Sequence, residues 1–304
     1  MAERIVIAGG SGLIGRALTA ELARSGAEVV VLSRSPGARD DLPAGARWAA
    51  WDGRTAGGWG SECEGAAAVV NLAGENVASG RWTAARKRRL RASRIHTTDA
   101  VVSAISLARR KPRVLIQASA VGYYGGRGDE ELDEGSLPGE GFLPELSAAW
   151  EDASEPVETH GVRRVLLRTG IVLSSRGGAL AKMLPVFRLG LGGPLGDGSQ
   201  WFPWIHLTDE VAAIRFLIDR EDVAGAFNLA APEAVTNEGF SRALATALGR
   251  PCFARVPALA LRLAVGEMAQ VLLSGQKVRP RRLLDAGFAF RFASLEAALA
   301  DLVG

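Results

Sequence analysis

Apolar runs of strand length alternate with longer amphipathic stretches along the first 175 residues. The runs are nearly continuous, which is typical of parallel strands that are buried on both faces. They lie at 4–8, 29–32, 47–51, 66–71, 114–118 and 164–173. Helices are predicted between them, at 13–24, 81–110 and 143–158. Strands that alternate with helices predict an α/β fold with a Rossmann-type, doubly wound parallel sheet.

The hydrophobic pattern becomes less regular after residue 175. Residues 190–204 combine glycines, prolines and tryptophans and predict an irregular loop that closes over a site, whereas 210–220 and 226–229 predict a helix and a strand. Residues 236–304 are predicted to be mainly helical, with Thr236 as a helix cap. We therefore predict a Rossmann domain at 1–175, completed by about 203–230. A smaller, mainly helical C-terminal domain is predicted at 176–202 and 231–304, to hold a substrate or act as a lid.

The composition is that of an ordinary globular protein, with 48% hydrophobic and 23% charged residues among 304. A formal net charge of +3 is small for this length and does not indicate a nucleic-acid or membrane partner. Cys63 and Cys252 match no metal-ligand spacing, so no metal site is predicted. No signal peptide is recognised before the first strand, and no apolar run approaches the ~20 residues of a membrane span. These features predict a cytoplasmic protein.

A glycine-rich turn joins the first predicted strand to the first predicted helix. It comprises Gly9, Gly10, Ser11, Gly12, Leu13, Ile14 and Gly15. Glycines in this position allow backbone to approach a pyrophosphate, while the free N–H groups and positive dipole of the helix N-terminus face the anion. An ordinary glycine-rich turn is the alternative, but the flanking strand, helix and second strand favour dinucleotide binding.

The residues after the second strand indicate which dinucleotide is bound. An acidic residue there would bind the adenosine ribose of NAD, whereas an arginine accommodates the 2′-phosphate of NADP. The chain has Ser33, Arg34 and Ser35, with no acid before Asp40. A surface arginine without a ligand is the alternative. The sequence favours NADP(H) as the cofactor.

Two further segments are candidates for contact with the cofactor. The strand at 66–71 runs into small residues, Leu72, Ala73 and Gly74, which let backbone lie against a flat ligand; a buried strand that enters a glycine turn is the alternative. The run 86–94 is the most basic of the chain, but no aromatic residues interrupt it, so a solvated helix face is favoured over nucleic-acid binding. One or two of its arginines remain candidates for the cofactor phosphates.

Taken together, these motifs resemble those of an atypical, extended short-chain dehydrogenase/reductase. The chain is similar to the epimerase-like, sugar-nucleotide-epimerase-related subfamily, which often carries a C-terminal domain of unknown function. The resemblance covers essentially the whole chain and rests on the segments 9–15, 71–76, 93–94, 119–125, 168–173, 192–196, 204–206 and 274–278. It implies that Ser33 and Arg34 hold the 2′-phosphate, that Leu72 and Ala73 line the cofactor, that Arg94 contacts it and that Val172 lies near the nicotinamide. Gly74 and Ser119 are assigned to the same cofactor site.

The chain departs from most short-chain dehydrogenases in its catalytic residues. Their Tyr-x-x-x-Lys pair is absent, because the two tyrosines, Tyr123 and Tyr124, are followed four places on by Arg127 and Gly128. The helix that would carry the pair has a serine, Ser147, and four places later a glutamate. The candidates for handling the substrate proton are Ser119 at a strand end, Tyr124 or its neighbour on the same loop, and Glu151 if it is buried. His206 is interpreted as structural.

Two functional hypotheses remain open. The first is an NADP-dependent oxidoreductase or epimerase acting on a small polar substrate, with a sugar nucleotide as one candidate. The second is an NADP(H)-binding regulatory or scaffold protein in which catalysis has been lost, with a role in cell division implied by the resemblance alone. Neither a nucleic-acid nor a membrane partner is expected. The oligomeric state, monomer or homodimer, is left open.

Overall fold

The computed structural model describes residues 2–35 and 42–304, so Asp40 lies outside the described residues. The strands are β1 Arg4–Ala8, β2 Glu28–Ser33, β3 Ala46–Ala50, β4 Ala68–Asn71, β5 Val114–Ala120, β6 Glu131–Leu132, β7 Arg163–Thr169, β8 Ile171–Leu173, β9 Trp204–His206, β10 Gly225–Leu229 and β11 Lys277–Val278. The helices are α1 Leu13–Arg24, α2 Ala84–Leu107, α3 Phe142–Asp152, α4 Gly178–Arg188, α5 Leu207–Asp219, α6 Asn237–Ala247, α7 Ala258–Val265, α8 Ala269–Leu273, α9 Arg281–Asp285 and α10 Leu295–Val303.

Seven strands form one sheet in the order β10-β7-β5-β4-β1-β2-β3, and every neighbouring pair is parallel. The order reverses between β1 and β4, with Ile5 opposite both Val29 of β2 and Ala68 of β4. In sheets of this kind, ligands bind beyond the carboxyl ends of the strands at such a reversal. The predicted Rossmann-type, doubly wound parallel sheet is thus confirmed.

The central strands are apolar along their whole length because both faces of the sheet are covered. In β1, Ile5 and Ile7 pack on the side of α1 and α5, whereas Val6 and Ala8 pack on the side of α2. The alternation of side chains across a strand therefore gives two hydrophobic layers. The residues at the strand ends are left free to form a site.

The predicted strand at 164–173 and the predicted helix at 143–158 are both shorter than expected. The strand divides at Gly170, where a Cβ would lie 2.4 Å from the carbonyl oxygen of Pro203. After this close approach, β8 leaves the main sheet and pairs in parallel with β9. The helix ends at Asp152, and a 3₁₀ helix follows at Glu155–His160 with a proline in its first turn.

A third hydrophobic cluster brings together helices that precede and follow β9 in the chain. This cluster draws on α4, α6 and α10, with Leu184, Phe240 and Leu299 among its buried members. The hydroxyl of Thr236 accepts a hydrogen bond from Gly239 N, so the predicted helix cap at the start of α6 is confirmed. Within 2–35 and 42–304, no helix has the length and apolar character needed to cross a membrane.

Candidate functional site

The glycine-rich turn lies between β1 and α1, at the strand-order reversal. Gly9 has φ +81°, and a Cβ there would lie 2.7 Å from the backbone of Leu72. A Cβ on Gly15 would lie 2.5 Å from Gly10 Cα and from Gly9 O, so α1 packs closely on the turn. Gly12 is the N-cap and provides no side-chain cap, which leaves the first-turn N–H groups directed at the crevice. The turn fits a pyrophosphate group.

The carboxyl end of β2 places a cation at the edge of the same crevice. Ser33 is the last residue of β2 and its hydroxyl accepts a hydrogen bond from Ser35 N. Arg34 is exposed, and its guanidinium makes no hydrogen bond or ion pair with any other described residue. A free guanidinium here fits the 2′-phosphate of an adenosine ribose, because such charge-assisted pairs are strong and often bidentate.

The turn after β4 is held by a buried amide. Asn71 donates from Nδ2 to Gln117 Oε1 at 2.9 Å and to Thr98 Oγ1 at 3.1 Å. Its own Oδ1 accepts from Ala73 N at 3.2 Å, which fixes the backbone of the predicted cofactor-lining residues, Leu72 and Ala73. The sequence supplied no separate signal for Asn71.

Arg94 is buried on α2 and reaches the turn after β4. Its Nη1 donates to the carbonyl oxygens of Glu75 and Leu90, each at 3.1 Å, and its guanidinium lies 4.8 Å from the ring centroid of Trp150. A Cβ on Gly74 would lie 3.4 Å from Arg94 Cζ. Burial lowers the pKa of Arg94 to about 10. Among the described residues no carboxylate forms an ion pair with it, so its charge is available to an anionic ligand.

The prediction that the basic run 86–94 forms a solvated helix face is therefore only partly correct. Arg88, Arg89 and Arg91 are exposed, but Arg86 and Arg94 are buried. Arg86 forms an ion pair with the carboxylate of Glu75. The helix turns two of its arginines inward because they lie on the same side as its apolar positions.

A cavity of about 340 Å³ lies beside the carboxyl ends of β5 and β7. These strands contribute Ala120 and Thr169, while α3 contributes Ser147 and Trp150, and Arg94 lines it as well. The irregular loop at 190–204 and α8 form part of the opposite wall through Leu195, Gln200, Trp201, Phe202, Pro203, Val271 and Leu272. Ile171, which directly precedes Val172 in β8, also lines it.

The three candidates for proton handling, Ser119, Glu151 and Tyr124, meet in one buried network around Arg168. Ser119 Oγ donates to Glu151 Oε1 at 2.6 Å. Arg168 donates to both carboxylate oxygens of Glu151 at 2.9 Å and from Nη1 to the Tyr124 hydroxyl at 3.1 Å. The Tyr124 hydroxyl donates in turn to Asn228 Oδ1 at 2.6 Å. None of these side chains lines the cavity directly.

Tyr124, Glu151 and Arg168 are all buried, and burial affects their protonation and their need for partners. Burial raises the pKa of Tyr124 to about 12, so its hydroxyl keeps its proton at neutral pH. Glu151 is 6% exposed, so the condition of burial that its candidacy required is met. Arg168 was not singled out from the sequence, although a charged residue inside an apolar strand is a signal that a buried partner is needed.

Two further groups near the cavity were not assigned a role from the sequence. Ser147 is 5% exposed, lines the cavity and makes no hydrogen bond from its hydroxyl to the described residues. Glu210, in the first turn of α5, is fully buried and accepts from Thr169 Oγ1 at 2.9 Å. Burial raises the pKa of Glu210 to about 8.

His206, whose Nδ1 accepts from Thr208 N, caps α5.

Comparison with known proteins gives consistent matches over the whole chain. The NAD dependent epimerase/dehydratase family matches residues 5–230, and a domain of unknown function, DUF1731, matches residues 256–302. The bovine (Bos taurus) epimerase family protein SDR39U1 is 40% identical over 305 residues, which cover 99% of both chains.

Two solved structures have the same fold as this chain and a clearly related sequence. The crystal structure of human epimerase family protein SDR39U1 (isoform 2) with NADPH is 36% identical, has a TM-score of 0.88 and is matched over 99% of both chains. A nucleoside-diphosphate sugar epimerase from Corynebacterium glutamicum is 32% identical with a TM-score of 0.79, over 100% of this chain and 59% of that chain. The sheet, the glycine-rich turn and these matches show that the chain belongs to the NAD dependent epimerase/dehydratase family. It also carries the C-terminal domain DUF1731.

Proposed function

We propose that the protein is an NADP(H)-dependent oxidoreductase or epimerase of the extended short-chain dehydrogenase type, with its reaction in the cavity beside β5 and β7. The observation that carries this is the guanidinium of Arg34, which has no hydrogen-bond or ion-pair partner among the described residues and lies at the edge of a crevice that also contains the glycine-rich turn. The similar human protein was crystallised with NADPH, which supports the same cofactor.

The chain's own residues divide the work of binding between several elements. The turn at 9–15 and the N-terminus of α1 hold the pyrophosphate, Arg34 holds the 2′-phosphate and Arg94 contacts the cofactor from α2. The bound cofactor supplies a hydride acceptor or donor to the substrate. Trp150 and the loop at 190–204 exclude water from the cavity.

Proton transfer is assigned to the buried network beneath the cavity. Ser119 does not line the cavity but directly precedes Ala120, which does. Its Oγ already donates its hydrogen to Glu151 Oε1, so its lone pairs would accept from the hydroxyl of a substrate that reaches past this wall. A proton received by Ser119 passes to Glu151, which Arg168 holds in a fixed orientation through two hydrogen bonds. This route serves in place of the absent Tyr-x-x-x-Lys pair.

One observation favours the second hypothesis, a cofactor-binding regulatory protein without catalysis. Ser147 and Glu151 stand where the tyrosine and lysine would be, and Glu151 is engaged by both Ser119 and Arg168. In this alternative, the network only stabilises the fold, and NADP(H) sets the conformation that a partner recognises.

The first test is a titration of the purified protein with NADPH and NADH, with Arg34→Ala as the variant. Loss of one guanidinium–phosphate pair is expected to weaken NADPH about 10- to 100-fold and leave NADH unchanged. Arg89→Ala, which removes an exposed arginine of α2, is the matched control and should bind both as the wild type does. Equal affinity for the two cofactors in the wild type, or an Arg34→Ala protein with unchanged NADPH affinity, would contradict the proposal.

A further inference from the structure

The wall of the cavity is chiefly apolar and aromatic. Trp82, Leu146, Trp150, Phe202 and Leu272 line it, from elements on either side of the opening. Large apolar surfaces of this kind gain from excluding water, and they gain most with a ligand that is itself apolar. We propose that the cavity binds an apolar carbonyl compound or the corresponding alcohol, with an aromatic or branched aliphatic body and no phosphate group. The inference rests on the proposed function and names its substrate class.

The charges at the cavity are wrong for a nucleoside diphosphate. A diphosphate needs cations to bind it. Among the described residues that line the cavity, Arg94 is the one with a cationic side chain. It lies against Gly74, and in the proposed function it contacts NADP(H). The wall also contains Glu140, an exposed glutamate with no ion-pair partner among the described residues, whose charge opposes that of a diphosphate.

Lysines beside the mouth already have carboxylate partners. Lys87 lies 5.1 Å from the ring centroid of Phe142, a wall residue, and pairs with Glu267 at 2.5 Å. Lys277 lies 5.0 Å from the ring centroid of Trp201 and 3.9 Å from a carboxylate oxygen of Glu131. The charges of these lysines are therefore already partly compensated, which weakens their attraction for a phosphate-bearing substrate.

One buried polar group of the wall, the hydroxyl of Ser147, is placed to bind an oxygen of the substrate. Several others are already occupied: Gln200 Nε2 donates to the carbonyl oxygens of Leu195 and Leu272, and Thr169 Oγ1 donates to Glu210. The hydroxyl of Ser147 makes no hydrogen bond to the described residues, although the residue is only 5% exposed. A carbonyl or hydroxyl oxygen of the substrate satisfies it.

The proposed chemistry balances with the cofactor alone. Interconversion of the alcohol and the carbonyl compound moves a hydride between the carbinol carbon and NADP(H) and a proton to or from the oxygen. No other oxidant or reductant is required.

Binding of two probes, 2-naphthaldehyde and UDP-glucose, tests this inference by calorimetry on the NADP⁺-loaded protein and the free protein. We expect 2-naphthaldehyde to bind at least about tenfold more tightly than UDP-glucose. Leu272→Asp should weaken 2-naphthaldehyde about tenfold or more, while NADPH affinity changes less than about twofold. Leu259→Asp, the same change on an exposed position of α7, should leave both affinities unchanged.

The hydrogen bond is tested separately with Ser147→Ala. This variant should weaken 2-naphthaldehyde about 3- to 10-fold and leave 2-methylnaphthalene, which lacks the oxygen, unaffected. Tighter binding of UDP-glucose than of 2-naphthaldehyde would overturn the inference, as would an unchanged affinity of Leu272→Asp for the aldehyde. Because probe binding to the free protein is measured as well, absence of NADPH binding would remove the proposed function without deciding the chemistry of the cavity.

Discussion

Arg168 and Glu151 form a two-point ion pair, with Nε and Nη2 of the arginine each 2.9 Å from a different carboxylate oxygen. Their side chains are 6% and 8% exposed, so neither charge is compensated by bulk water. The pair joins β7 to α3 directly beneath the cavity. Its partners on either side, Ser119 and Tyr124, depend on it for their orientation.

Removal of one member of this pair is expected to destabilise the protein strongly. Glu151→Gln leaves the Arg168 guanidinium buried without a counter-charge, and we expect the free energy of unfolding to fall by about 3–5 kcal/mol. Urea denaturation measures this value. Glu130→Gln breaks the exposed pair with Arg127 and is the control, with a much smaller expected loss because water screens this pair. Equal losses in the two variants would show that burial does not control the strength of the Arg168 pair.

The carboxyl group of Glu210 is expected to make stability depend on pH. Burial raises its pKa to about 8 in the folded protein, from an ordinary value of 4.5 for a glutamate in water. The folded state therefore binds more protons than the unfolded state in this interval, so the contribution is present below about pH 4.5 and is lost as the pH rises through about 8. Glu210→Gln, which keeps an acceptor for Thr169, should flatten the decline in the free energy of unfolding between these values.

Denaturation at a series of pH values gives the comparison for Glu210. The control is Glu296→Gln, which changes an exposed carboxylate of α10 and should retain the pH dependence of the wild type. A Glu210→Gln protein whose pH dependence matches that of the wild type would argue against a raised pKa at this position.

Two glycines of the turn should respond differently to a methyl group. Gly15→Ala places a Cβ 2.5 Å from backbone atoms of Gly9 and Gly10, so we expect a loss of about 1–3 kcal/mol in the free energy of unfolding. Gly12→Ala meets its nearest atom, Gly9 O, at 3.3 Å and should cost less. Thermal unfolding of the two proteins in parallel measures the difference, and a Gly12→Ala variant less stable than Gly15→Ala would contradict the close packing of α1.

Arg94 is expected to serve ligand binding rather than stability. Arg94→Met removes a buried guanidinium that has no carboxylate ion-pair partner among the described residues, so the unliganded protein should be as stable as the wild type or more so. Affinity for NADPH should fall about 10- to 100-fold. Arg91→Met, an exposed position on the same helix, should change neither quantity. Thermal unfolding with and without NADPH reports both effects, and a variant that loses stability but not affinity would assign Arg94 a structural role.

Local patterns in the sequence were sufficient for the fold and for the main features of the cofactor crevice. The apolar runs, the glycine-rich turn and the absence of an acid at 33–35 are properties of neighbouring residues, and steric and hydrogen-bonding rules connect them to strand, turn and helix without reference to the rest of the chain. The family match over residues 5–230 confirmed the predicted family, and the seven-stranded sheet confirmed the predicted parallel arrangement. The predicted domain boundaries and the roles of individual site residues stay predictions.

Only the tertiary structure decided which polar residues are buried and what they contact. Glu151 lies on a helix and Arg168 on a strand, and nothing in their spacing shows that the two charges meet away from water. Arg94 sits in a basic run typical of a solvated face, yet packing turns it towards Trp150. Ser147 and Leu272 line one cavity although they come from distant parts of the chain. The energies of ion pairs and of apolar burial depend on neighbours in space, which the order of residues along the chain does not specify.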